Sequence, residues 1–244
     1  LDGFLHVPAN ELSAIHALGD ALADVVAVLV EPIQGEGGVR PLDHHYLQGL
    51  RDLCQQNQWL LMFDEVQTGN GRCGSTYVCE QLEIKPDVML TAKGLGNGLP
   101  IGVCMARGEA AQLLGPGDHG STYGGNPLCC AAAIAVLTTL RDDTVMQRAR
   151  SVREVLLTAL HEAITDSDLI AEVRGRGLMI GIQPRVATKE IVQRGLESGL
   201  LINVAGGDTI RVLPPLVMTD EQAGELGAGI ANIINDIAEQ ENAL

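Results

Sequence analysis

Two short apolar stretches of this chain end in groups capable of covalent and acid–base chemistry. Trp59 to Phe63 runs straight into Asp64, and Val88 to Ala92 runs into Lys93. Runs of this kind predict strands buried on both faces of a parallel sheet. In open α/β sheets the ligand crevice lies outside the carboxyl ends of the strands, where both ionisable groups emerge. A third run, Val25 to Val30, ends in Glu31 in the same manner. An amine delivered to such a crevice can form a Schiff base with a carbonyl compound. A carboxylate, with an ordinary pKa of about 3.9, can hold a ring nitrogen protonated.

Those two groups are what pyridoxal phosphate (PLP) chemistry requires, because the coenzyme withdraws electrons only while its pyridine nitrogen carries a proton. Taken singly, a strand-end lysine is more often a solvated surface group, and a strand-end aspartate a cap or a surface ion pair. The pairing favours the chemical reading, as do Gly94, Gly96 and Gly98, which let the chain turn away directly after Lys93.

Four blocks carry a family resemblance: Asp64-Glu65-Val66-Gln67-Thr68-Gly69, Lys93-Gly94-Leu95-Gly96-Asn97-Gly98, Glu31-Pro32-Ile33-Gln34-Gly35-Glu36-Gly37-Gly38 and Gly120-Ser121-Thr122-Tyr123-Gly124-Gly125-Asn126-Pro127. They resemble the signature blocks of class III aminotransferases. The resemblance implies an α/β, PLP-dependent transferase-like fold (fold type I): a mostly parallel sheet with helices on both faces, followed by a smaller C-terminal α+β domain. It implies PLP as cofactor, Lys93 as the Schiff-base residue and general base, and Asp64 as the partner of the pyridine nitrogen. Val66 would pack on the ring and Gln67 would meet the ring hydroxyl, with Glu65 in the same cofactor block. Thr122 would bind the coenzyme phosphate across a homodimer interface, with Ser121 near substrate. Arg211 stands where the family places a carboxylate-binding arginine, and Glu36 matches the glutamate that pairs with it and moves aside when glutamate binds.

The implied reaction passes an ω-amino group to 2-oxoglutarate, with N-acetylornithine the expected donor; succinylornithine, ornithine and 4-aminobutyrate are neighbouring possibilities. A truncated, non-catalytic folding or interaction unit is the reading from another class. His119 is expected to be structural, and neither Glu31 nor Glu65 is assigned to proton transfer. Asn70 and Cys73 stand where family members usually carry Met and Thr, a departure expected to act only locally. The chain opens at Leu1 on a phrase, Phe4 to Pro8, that in the family lies well inside the protein. An N-terminal part is therefore expected ahead of it, and residues 1–244 alone are expected to bind PLP weakly or not at all.

Composition narrows the partners. With 31 acidic against 16 basic residues the formal net charge is −15, which disfavours nucleic acid and anionic membranes. A small anion must then be held by local groups. No apolar run approaches the roughly 18 residues of a membrane span, so a cytoplasmic location is the default expectation. Six cysteines without a C-x-x-C pair, and six histidines not gathered near them, predict reduced structural thiols and no metal site.

The rest of the chain must position these groups. Helical spacing predicts a helix over 10–23 capped by Asn10, and another capped by Asp43 with Leu47, Leu50 and Cys54 inward. Glycine-rich loops follow Glu31 and Gly69, with a short helix before Pro86. Asn126-Pro127 predicts the start of an alanine-rich helix running to about 140. A further helix over 144–164 carries Val145, Ala149, Val152, Leu156, Ala159 and Ala163 on one face. Beyond it, strands are expected at 169–174, 178–182, 200–204 and 209–213, with a Gly206-Gly207 hairpin, a helix at 188–198 and a capping box at Thr219. The large PLP-binding domain is placed at 1–145 and the small one at 146–244.

Overall fold

The computed structural model describes residues 2–243. The chain divides into two compact units, one of residues 1–32, 42–67 and 77–136, the other of 33–41, 68–76 and 137–244.

The first unit is built on a four-stranded sheet. Its strands are β1 (Ala27–Val30), β4 (Leu60–Asp64), β5 (Val88–Thr91) and β6 (Val103–Ala106), in that spatial order. β1, β4 and β5 are parallel and β6 is antiparallel. Helix α2 (His44–Asn57) forms the crossover from β1 to β4. Asp43 caps it as predicted, its carboxylate accepting from the amides of His45 and Tyr46. The stripe of Leu47, Leu50 and Cys54 is completely buried.

Burial on both faces holds only in part. Along β4, Leu61 and Phe63 are fully buried while their neighbours are half-buried. In β1, an edge strand, Leu29 is 49% exposed. Helix α1 (Leu12–Ala21) is also shorter than predicted, and Asn10 does not cap it. Asn10 takes a left-handed backbone (φ 63°) and its side-chain oxygen accepts from the amide of Asp43 instead. That interaction joins residues distant in the chain and has no sequence signature.

Helix α3 (Val78–Leu82) follows β4, and α4 (Pro127–Arg141) begins after Asn126, whose side chain accepts from the amide of Cys129. No helix among the described residues is long and apolar enough to cross a membrane, and none of their His, Cys, Asp and Glu side chains gather as a metal site. All six cysteines are free thiols.

The second unit contains a small hairpin, β2 (Ile33–Gln34) with β3 (Arg40–Pro41), where a plain loop was expected. Its main sheet has the order β7 (Ile170–Arg176), β8 (Met179–Pro184), β10 (Thr209–Val212), β9 (Asn203–Ala205), all antiparallel. Helices α5 (Asp143–Ala163) and α7 (Asp220–Asn242) pack together, with α6 (Ile191–Glu197) between β8 and β9. The buried face of α5 is Met146, Ala149, Val152, Leu156 and Leu160. The predicted stripe is thus turned by one residue at its ends, because a Val145-to-Ala163 line would bring alanines where Leu160 offers more apolar area to bury. Gly206 and Gly207 both have positive φ at the β9–β10 turn, and Thr219 forms the predicted capping box with Gln222.

Candidate active site

Adjacent parallel strands bring Asp64 and Lys93 to one edge of the sheet. Asp64, the last residue of β4, is in register with Leu90 of β5, and Lys93 lies three residues beyond Leu90. Neighbouring strands run roughly 5 Å apart, so the acid and the amine leave the sheet side by side at its carboxyl edge. Asp64 is half-buried, and its Oδ1 accepts from the amide of Val66 at 2.9 Å. That bond fixes the carboxylate at the strand end. Val66 and Gln67 are likewise half-buried beside it.

β5 stops at Thr91, and Lys93 opens a tight turn that ends at Gly96. Lys93 is exposed and has φ 48°, the left-handed region that side chains other than glycine rarely adopt. Asn97, closing the turn, has φ 45°. Strained backbone of this sort, costing on the order of 1–3 kcal/mol, gathers at ligand sites. The turn holds the lysine accessible while the glycines after it carry the main chain away.

Glu65, next to Asp64, is completely buried. Its two carboxylate oxygens accept from the amides of Val78 (2.8 Å) and Cys79 (2.7 Å) at the start of α3, and its own amide donates to the carbonyl of Leu90 (2.9 Å). It therefore ties α3, β4 and β5 together next to both chemical groups. Beside it, burial pushes the Tyr77 hydroxyl and the Cys79 thiol above their ordinary values, the thiol to about 12. In Glu65→Gln one of the two amides must lose its acceptor. The expected cost is about 1–3 kcal/mol, read as a lower urea midpoint with an unchanged slope.

Ser121 and Thr122 lie on an exposed segment, as does His119. Ser121 Oγ accepts from the amide of Gly124 at 3.1 Å. Nearby, Tyr123, Leu128 and Ile134 are large apolar side chains left open to solvent.

In the second unit the structure joins Glu36 and Arg211, which are 175 positions apart in sequence. Arg211 Nη1 lies 2.6 Å from Glu36 Oε1. The exposures are unequal: the arginine side chain is 9% exposed and the glutamate 79%. Asn203, opposite Arg211 on β9, turns its amide so that the nitrogen donates to the Arg211 carbonyl (3.1 Å) and the oxygen accepts from Nη2 (2.9 Å). Asn203 escaped the sequence reading because only cross-strand pairing places it there. Asn70 has φ 57°, which explains an asparagine at this position, since its short polar side chain tolerates left-handed backbone better than methionine.

The family model for class III aminotransferases matches residues 6–234, and the chain belongs to that family. Acetylornithine aminotransferase 1 of Bordetella pertussis is 44% identical over 239 residues, 98% of this chain and 61% of the relative. Among solved structures, N-acetylornithine aminotransferase of Stenotrophomonas maltophilia superposes with a TM-score of 0.87 at 33% identity, covering 99% of this chain and 64% of that one. An ornithine aminotransferase of Toxoplasma gondii, described with PLP at partial occupancy in its active site, gives a TM-score of 0.89 at 35% identity over 99% and 58% of the two chains. The fold is accordingly the α/β fold of the PLP-dependent aminotransferases. The chain spans about 61% of the length of the Bordetella relative.

Proposed function

We propose that this chain is the part of a PLP-dependent ω-aminotransferase that supplies its lysine, its pyridine-binding aspartate and its carboxylate-binding arginine. The observation that carries the reading is the delivery of Asp64 and Lys93 to one sheet edge by adjacent parallel strands. The donor set suits PLP: a half-buried carboxylate held by one amide for the ring nitrogen, and an accessible amine for the aldehyde carbon. When bound, the coenzyme supplies an electron sink for the substrate carbon that loses its proton.

The chain's own groups then have separate tasks. With the coenzyme bound, Lys93 would hold its aldehyde carbon and would carry the substrate's proton as general base. Asp64 would keep positive charge on the ring nitrogen by ion pairing. Val66 would pack on the ring and Gln67 would bond its hydroxyl, while Glu65 holds the strand ends in place. Thr122 would reach the phosphate across a homodimer interface, and Ser121 would lie near substrate. The apolar side chains of Tyr123, Leu128 and Ile134 around that segment favour such an interface.

Arg211 is the proposed site for the carboxylate of 2-oxoglutarate, in a chain whose net charge gives anions no general attraction. A guanidinium fork suits bidentate carboxylate binding. Glu36, largely in solvent, loses little on leaving, whereas the buried arginine needs an anion beside it. Arg211→Ala should therefore raise the KM for 2-oxoglutarate about 10- to 100-fold, the equivalent of one charged hydrogen-bonding pair. The KM for the amino donor should move much less, and steady-state kinetics with each substrate varied in turn checks this.

N-acetylornithine is the proposed donor, giving N-acetylglutamate semialdehyde and glutamate in arginine biosynthesis, with cytoplasmic location. The curated relatives at 44% identity, named acetylornithine aminotransferases, support it, and ornithine, the substrate named for structural neighbours at 35–36%, is the competing donor. The test is a donor panel on the full-length protein with PLP and 2-oxoglutarate. N-acetylornithine should have the highest kcat/KM among itself, succinylornithine, ornithine and 4-aminobutyrate. A higher value for ornithine would move the assignment to ornithine transamination.

A further inference from the structure

The proposed carboxylate switch has a fixed arginine and a glutamate that must return to it after every turnover. The loop that carries Glu36 has an unusual backbone just beyond it. Gly38 has φ 103° and Val39 φ 50°. A β-branched residue with positive φ is a genuine outlier, and Val39 is nevertheless completely buried. Arg174, from the middle of β7, supplies the restraint. Its Nε donates to the carbonyls of both Gly38 (3.0 Å) and Val39 (3.1 Å). Nη1 donates to Glu172 and Gln183, each at 2.7 Å, and Nη2 donates to Thr209 Oγ1 at 2.6 Å. Its side chain is 6% exposed, and Thr209 is fully buried.

The surroundings are shaped to the same strained pair of residues. A Cβ added at Gly181 would meet Val39 Cβ at 2.8 Å, and one at Gly175 would meet Val39 Cγ1 at 2.9 Å. A Cβ at Gly38 would come within 3.1 Å of Thr209 Oγ1. The amide of Gly206 also donates to the carbonyl of Glu36 (3.0 Å). β7 and the β9–β10 turn thus hold the backbone from Glu36 to Val39, and β10 bears Arg211.

We propose that Arg174 is a positioning residue for the Glu36 arm: its guanidinium, seated on the Gly38 and Val39 carbonyls, sets the fraction of time that Glu36 covers Arg211 and so the threshold a dicarboxylate must overcome. The inference rests on the reading of Arg211 as the carboxylate site. With Glu36 covering Arg211, the apparent affinity for a dicarboxylate is the intrinsic affinity reduced by the uncovered fraction. Loosening the loop raises that fraction. Lysine at 174 keeps the charge but cannot bond two carbonyls, two side-chain amide or carboxylate oxygens and a hydroxyl from one planar fork.

The experiment measures glutarate binding by calorimetry to the PLP-loaded full-length protein. Arg174→Lys should tighten glutarate about three- to tenfold, and should add nothing in a Glu36→Gln background, because both changes act through the same contact. Unchanged or weaker binding in Arg174→Lys overturns the proposal, as does the same tightening when Glu36 is already Gln. If Arg174→Lys does not fold, Thr209→Val removes one anchor of the guanidinium. A smaller tightening, about twofold, supports the proposal there, and none overturns it. Arg211→Ala separates the two levels. If it abolishes glutarate binding while the Arg174 series is flat, only the positioning role falls; if glutarate binds it as tightly as the parent, the carboxylate site itself falls and this proposal with it.

Discussion

Lys93→Ala in the full-length protein should lower transamination by at least about 10²- to 10⁴-fold, the scale on which a positioned proton-transfer group acts. The loss should be the largest of any single substitution in this chain. Lys93 would serve twice, as the covalent anchor of the coenzyme and as the base; of the other two lysines in this chain, Lys85 precedes β5 and Lys189 lies between β8 and α6, so neither is at the carboxyl ends of β4 and β5. The protein should still fold. The Lys93 side chain is exposed, and alanine removes no packing, although it inherits the left-handed backbone of the turn. Two readouts separate chemistry from folding: the urea midpoint should stay close to the parent, and the visible absorption of coenzyme bonded to a protein amine should vanish. An Ala variant that kept this absorption would show that another amine holds the coenzyme.

Asp64→Asn should come next, lowering kcat by about 10² to several thousandfold. Removing one member of a desolvated ion pair costs about 3–5 kcal/mol, and each 1.36 kcal/mol is a factor of ten in rate. Asparagine preserves shape, and its oxygen can still accept the amide of Val66. What it lacks is the negative charge that makes a protonated ring nitrogen stable at neutral pH. The absorption lost in the lysine variant should therefore persist here while turnover collapses. Single-turnover kinetics with the amino donor is the measurement, and a rate within threefold of the parent would remove Asp64 from the coenzyme's ring nitrogen. Opposite spectra with similarly poor activity would distinguish the anchoring role from the electronic one.

The chemical groups at the sheet edge were legible in the sequence because they depend on local rules. A strand that ends in an ionisable residue delivers it at the sheet edge whatever the rest of the molecule does. A cap such as Asp43, or the Thr219–Gln222 box, involves residues a few positions apart. Helical periodicity gave the inward stripe of α2 for the same reason. It located α5 but misplaced the ends of its buried face, because the choice between Val145 and Met146 belongs to the partner helix α7 and the sheet beneath, not to α5 alone.

Position along the chain said nothing of which distant segments come together. Residues 33–41 and 68–76 cluster with the C-terminal half of the chain: beyond their local turns, Gly38 and Val39 bond Arg174, Glu36 meets Arg211, and Arg72 bonds the carbonyls of Leu178 and Pro214. Asn10 spends its side chain on Asp43 in preference to its own helix, and Asn203 meets Arg211 only because β9 and β10 are paired. Arg174 read as one charge within a strand. Its significance arises from five partners drawn from four segments of the chain, assembled around a left-handed backbone at residue 39 that a valine does not announce. By itself, then, the sequence determined the family and which strand ends and loops carry Asp64, Lys93, Glu36 and Arg211, because those are short patterns read along one strand end or one loop. Tertiary structure alone decided how the Glu36 arm is held and which buried groups brace the strand ends, because those depend on hydrogen bonds between segments whose separation in sequence carries no information about their distance in space.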